Sequence, residues 1–93
     1  MRWKLFATLA ETVGTNTLDV PVESPEPTLR DAVDALLVAE PELGTQVLDA
    51  DGNLQPHIRL LCDGEDPFRA ADGWETDLCM VEEVALFPPV TGG

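Results

Sequence analysis

The stretch Pro27 to Leu43, PTLRDAVDALLVAEPEL, decides the fold. Leu29, Ala32, Val33, Leu36 and Leu37 recur at helical spacing, so one stripe of a helix starting at Pro27 or Thr28 is apolar and has to be covered. Thr28 and Asp31 stand three residues apart, as a capping box requires, and acidic residues in the first turn suit the positive end of the helix dipole. Pro41 has no N–H for a further turn, so the helix stops there. An amphipathic helix of this length is stable only against a second layer. The flanking segments read as that layer, a sheet.

Residues 2–9 alternate, with Trp3, Leu5, Ala7 and Leu9 on one side and Arg2, Lys4, Phe6 and Thr8 on the other. A short helical or turn segment around Ala10 to Gly14 and a turn through Asn16 lead into TLDVPVE, where Leu18, Val20 and Val22 face one way. The two runs read as a hairpin, and Pro21, lacking a ladder donor, places the second strand at an edge. Beyond the helix, HIRLLCDG alternates Ile58, Leu60 and Cys62 against His57, Arg59 and Leu61, then turns at Asp63 and Gly64. EVALFPP alternates Val84 and Leu86 against Ala85 and Phe87, whereas residues 65–75 are polar and show no clear period. The layout is α+β, a mixed sheet with one main helix packed across one face. Its expected inner face is Trp3, Leu5, Ala7, Leu18, Val20, Val22, Ile58, Leu60, Cys62, Val84 and Leu86.

Ninety-three residues make one domain with a simple core. Eighteen acidic residues against five basic ones give a formal charge of −13, which argues against nucleic acid as a partner because phosphate contacts need clustered Lys and Arg. So large an excess strains a fold in dilute buffer but is screened in concentrated salt. The composition points to a salt-rich cytoplasm such as that of a halophilic archaeon. No apolar run is long enough to span a bilayer, and the apolar stretch after Arg2 and Lys4 is too short for a secretory leader. Cys62 and Cys79 are too far apart for a CxxC motif and read as two buried thiols in a reducing cytoplasm.

Catalytic material is thin. Asp49, Asp51 and Asn53 fall at alternate positions in DADGN, yet Gly52 comes too early for a calcium loop and no Glu follows at the required distance, so the segment is a turn. His57 and Cys62 are five residues apart on one strand, which points their side chains to opposite faces and rules out a nucleophile–base pair. His57 reads as a strand-end or surface histidine. Nothing here suggests an enzyme acting alone.

The end of the chain, LFPPVTGG, carries different chemistry. Pro88 and Pro89 stop strand pairing and hold the preceding backbone extended, so residues 1–87 form the domain and residues 88–93 a tail directed away from it. Gly92 and Gly93 lack Cβ atoms, which leaves a terminal carboxylate unshielded and lets a narrow channel close around backbone alone. Such a carboxylate is suited to activation as an acyl-adenylate.

The terminal EVALFPPVTGG, the opening WKLFATLAETVG, the helix TLRDAVDALL and the strand HIRLLCDG together resemble the ubiquitin-like sulfur-carrier and modifier family. That family includes the small subunit of molybdopterin synthase and the small archaeal modifier proteins. The resemblance implies a β-grasp fold, with no permanently bound cofactor, and adenylation of Gly93 by an E1-like activating enzyme that uses ATP. Two outcomes follow from it: an isopeptide bond to lysines of target proteins, or a thiocarboxylate that donates sulfur to the large subunit of molybdopterin synthase. A binding module with an inert tail is a third reading. The chain departs from the family at MVEEVALF, where Val81 and Glu82 replace the usual Gly-Asp turn. By alternation, Phe6, Leu61 and Phe87 face away from the helix beside Lys4 and Arg59, a docking site continued by Pro88, Pro89, Val90 and Thr91. Lys4, the single lysine, is the candidate acceptor for self-linkage, the amino terminus being the other amine on which such a chain could grow.

Overall fold

The computed structural model describes residues 1–88; the expectations placed on Pro89, Val90, Thr91, Gly92 and Gly93 fall outside the described residues. Elements run in the order β1 (Arg2–Leu5), α1 (Ala7–Val13), β2 (Thr17–Asp19), α2 (Leu29–Ala39), a 3-10 turn (Pro41–Leu43), α3 (Gly44–Val47), β3 (Arg59–Cys62), α4 (Pro67–Ala70), a second 3-10 turn (Gly73–Glu75) and β4 (Glu83–Phe87). Among the described residues the four strands form one mixed sheet in the order β2-β1-β4-β3. The two central strands are parallel, and each edge strand is antiparallel to its neighbour. No helix among the described residues is long and apolar enough to cross a membrane.

α2 is capped as its sequence requires. The Thr28 hydroxyl accepts the Asp31 N–H at 3.3 Å, and the Asp31 carboxylate accepts the Thr28 N–H at 3.1 Å. Such a cap stabilises a helix by about 1 kcal/mol. Leu29, Ala32, Val33 and Leu36 are fully buried, while Leu37 is half-buried at the margin. They meet the inner sheet face of Trp3, Leu5, Leu60, Cys62, Val84 and Leu86 in one core cluster, with Leu9, Leu43, Val47 and Leu78 closing its ends.

The opening segment corrects the alternation argument. The strand extends only to Leu5, because Ala7 takes a left-handed conformation (φ 50°) that breaks the extended backbone and turns it into α1. Ala7 is therefore exposed instead of inward, and Leu9 reaches the core from a helix. Phe6, the N-cap, makes no side-chain capping bond, so the usual sequence signal for a helix start is missing. Only the spacing of Leu9, Ala10 and Val13 betrays it. β1 and β2 pair antiparallel as expected, but across α1 and not through a tight turn. Gly14 ends α1 with φ 91°, donating its N–H to the Ala10 carbonyl.

β2 is shorter than expected, and Leu18 and Val22 are half-buried where Val20 is buried. It does lie at an edge, and that edge is blunted: the Thr15 hydroxyl lies 3.1 Å from the Thr17 carbonyl and 3.4 Å from the Thr17 N–H, and Pro21 has no N–H to offer. At the other end of the sheet, Asp63 (φ 48°) and Gly64 (φ 87°) form the two-residue turn after β3, closed by reciprocal bonds between Cys62 and Glu65. The Asp63 carboxylate also accepts the N–H groups of Glu82 and Glu83, tying this turn to the start of β4. The departure from the family's Gly-Asp pattern is accommodated just before: Asp77 accepts the Cys79 N–H, and Val81 donates to the Leu78 carbonyl. Residues 65–75 contain α4 and the second 3-10 turn.

Candidate functional site

The helices cover one face of the sheet, and the other is open. Strand register arranges that open face in rows. Arg2 lies between Asp19 and Glu83; Lys4 lies between Thr17 and Ala85, with Leu61 beyond Ala85; Phe87 lies opposite Arg59. Phe6 enters this face from the end of β1, and its ring stacks on Phe87 with centroids 4.4 Å apart and planes 11° from parallel. The Lys4 ammonium stands 5.9 Å from the Phe6 ring centroid. Beside the stacked pair is a depression of about 400 Å³ lined by His57, Arg59, Leu61, Phe87 and Pro88.

The structure thus brings together Phe6, Leu61, Phe87, Lys4 and Arg59, the residues that alternation assigned to one surface, with Pro88, also expected there, beside them. Phe6 arrives there from a helix cap instead of mid-strand. His57 is a component that sequence reasoning left as a bland surface residue; its even spacing from Arg59 and Leu61 was the available signal. Three of the chain's five basic side chains, Arg2, Lys4 and Arg59, are exposed on this face. Arg2 Nε is 3.8 Å from the Glu83 carboxylate, so that end is partly neutralised, while the end near Pro88 combines apolar rings with cations. In a chain of charge −13 this is a local break in the negative field.

The cysteines do not contribute to that surface. Cys62 faces the core as expected, but Cys79 is exposed, correcting the reading of two buried thiols; it sits in the turn before β4, outside the periodic strand that placed Cys62. Burial, reinforced by Asp63 and Asp66, pushes the Cys62 thiol from 9.0 up to about 11. Burial favours the neutral thiol, a contribution present in full below about 9.0 and lost as pH climbs through about 11. A hydrogen bond to Asp77 likewise raises the Cys79 thiol. At mildly alkaline pH, iodoacetamide is expected to alkylate Cys79 slowly, and Cys62 only after denaturation, as read by intact mass. Rapid native labelling of Cys62 would show that the turn after β3 opens in solution.

His57 is exposed on the open face while Cys62 is buried on the other, so the two do not form a catalytic pair. Asp49 spends its carboxylate on the N–H groups of Asp51 and Asn53 and makes a turn of DADGN. Among the described residues, no group of three or more His, Cys, Asp or Glu is placed to hold a metal ion.

Comparison with known proteins finds relatives that match along the whole chain. The model of the ThiS family matches residues 3–93. Small archaeal modifier protein 1 of Haloferax volcanii is 47% identical over 93 residues, covering the whole of both chains. Small archaeal modifier protein 3 of the same organism is 31% identical over 90 residues, covering 97% of this chain and 95% of that one. The crystal structure of SAMP1 from Haloferax volcanii superposes with a TM-score of 0.86 at 43% identity, over 100% of this chain and 98% of the other. The ubiquitin-like β-grasp fold follows, with α2 as the helix held by the sheet.

Proposed function

This chain belongs to the ThiS family, and on that premise we propose that it is a ubiquitin-like protein modifier whose Gly93 carboxylate is activated by an E1-like enzyme and joined to lysines of target proteins. The chain is the activated substrate and not the enzyme. The observation that carries the proposal is contiguity: the stacked Phe6–Phe87 pair and Leu61 lie on the one helix-free face, and that face runs directly into Pro88, where the tail begins. A partner seated on those rings receives the tail without a further contact having to be built. Fixing the body this way converts capture of a thin tail into an intramolecular event.

The chemistry needs little from this chain beyond presentation. A Gly93 carboxylate oxygen attacks the α-phosphorus of ATP, pyrophosphate leaves, and the acyl-adenylate forms. The neutral ε-amine of a target lysine then attacks the acyl carbon, AMP departs with the bonding electron pair and the nitrogen releases one proton to water, leaving an isopeptide. ATP is held by the activating enzyme. A second reading, favoured by the ThiS family match, has sulfide sulfur displace AMP from the same adenylate, leaving a thiocarboxylate for sulfur transfer.

Mass spectrometry of protein recovered from the native host tests both readings. No Lys or Arg follows Arg69, so trypsin leaves a long remnant on an acceptor lysine, whereas cleavage after Glu83 leaves residues 84–93. Such remnants on other proteins are the expected result. A tail heavier by a sulfur-for-oxygen exchange supports the carrier reading. Removal of Gly92 and Gly93 should eliminate both signals. If neither signal appears and the deletion is silent, the tail is inert and the proposal fails.

A further inference from the structure

We propose that one copy of this protein serves either as the donor of its tail or as the acceptor of another copy's tail, never as both at once, because its acceptor amine lies within its own docking face. This inference rests on the activation reading above. Lys4 is the chain's single lysine. β1 projects it from the middle row of the open face, opposite Ala85 and beside the Phe6 ring that stacks on Phe87. Anything joined to Nζ emerges among the rings that the activating enzyme must cover.

Size makes the exclusion effective. Four strands at roughly 4.8 Å spacing make a face only about 15 Å wide. A second copy measures 39 × 26 × 25 Å. Its five residues beyond Pro88 reach roughly 18 Å when fully extended, less than the width of the body they carry. A copy linked through Lys4 therefore stays over the face from which it hangs. Conversely, a copy seated on the activating enzyme hides its own Lys4 and accepts nothing. Self-linked pairs formed in solution are thus dead ends for activation of the receiving copy, and preassembled chains are not transferred whole.

The test uses full chains in a Cys79→Ser background, which removes the exposed thiol and leaves the shielded Cys62. In one joined pair Lys4→Cys is linked by a thioether to the C-terminus of a second chain; in another the same join is made at Val38→Cys, on the exposed side of α2. ATP–pyrophosphate exchange is measured with the E1-like enzyme of the native host, with the receiving copy's Gly93 free. The Lys4-joined pair should exchange about tenfold or more slowly than unjoined protein, as loss of one docking anchor would produce, and the Val38-joined pair within about twofold of it. Equal exchange by the two pairs overturns the exclusion while leaving activation intact. No exchange by the unjoined chain overturns the activation reading, and this inference with it.

Discussion

Phe87→Asp should abolish adenylation of the tail while the protein stays folded. The two consequences separate because Phe87 ends β4 on the open face, whereas its neighbours Val84 and Leu86 point to the core and are fully buried. For the fold, the substitution removes one half-buried ring and its stack on Phe6, a pair contact of about 0.5–1.5 kcal/mol. For docking, it removes a central aromatic anchor and places a carboxylate where the partner brings apolar surface. Losing an anchor costs about 2–4 kcal/mol, and burying an unpaired charge adds to that, so affinity falls by at least about one and a half to three powers of ten. Exchange of pyrophosphate into ATP reads the loss of docking, and denaturant unfolding reads the cost to the fold. Phe87→Leu, which keeps bulk and loses only the stack, should retain most activation. Exchange by Phe87→Asp at the parental rate would show that the open face is not where the activating enzyme sits.

This surface is legible in the sequence because β-sheet alternation is a strict period of two. Once Leu60, Val84 and Leu86 are assigned inward, Leu61 and Phe87 have no other side to occupy. The helix was equally legible, since the Thr28–Asp31 box, the apolar stripe and Pro41 agree with one another. Legibility failed where a tertiary constraint replaced a local signal. Ala7 adopts a left-handed conformation that no glycine announces, and α1 begins at Phe6 without a capping side chain, so the periodicity of two appeared to run on through Leu9. Val20 kept its inward direction although pairing had nearly ended, because its N–H is held by the Met1 carbonyl. The segment at residues 65–75 is too short-ranged in its pattern to read, and its order comes from the Asp66 cap on Phe68 and the Phe68–Trp74 contact with Arg30 over the Trp74 ring.

Leu36→Ala should leave the protein largely unfolded in dilute buffer and restore a cooperative native state in molar potassium chloride. Leu36 is fully buried in the third turn of α2, within the core cluster. Its truncation costs about 2–5 kcal/mol, set by how far the cavity collapses. A domain of this length has a total stability of about 5–14 kcal/mol under favourable conditions. Low salt lowers that margin, since 18 carboxylates share a small surface with five cationic side chains. Among the described residues only two ion pairs fall within range, Met1 amino group to Asp19 at 3.4 Å and Arg2 to Glu83 at 3.8 Å. Repulsion therefore acts over a Debye length of about 10 Å at 0.1 M and is confined to about 3 Å at 1 M. Each kcal/mol recovered raises the melting temperature of a domain this size by about 4–8 °C. Screening should saturate near 1 M, whereas salting-out of apolar surface would continue to strengthen beyond it. A variant whose melting temperature rises steeply to about that concentration and then levels off locates the salt requirement in charge repulsion. A variant that stays unfolded at all salt concentrations would mean that the core, with α2 as its one long helix, has no margin that screening can recover.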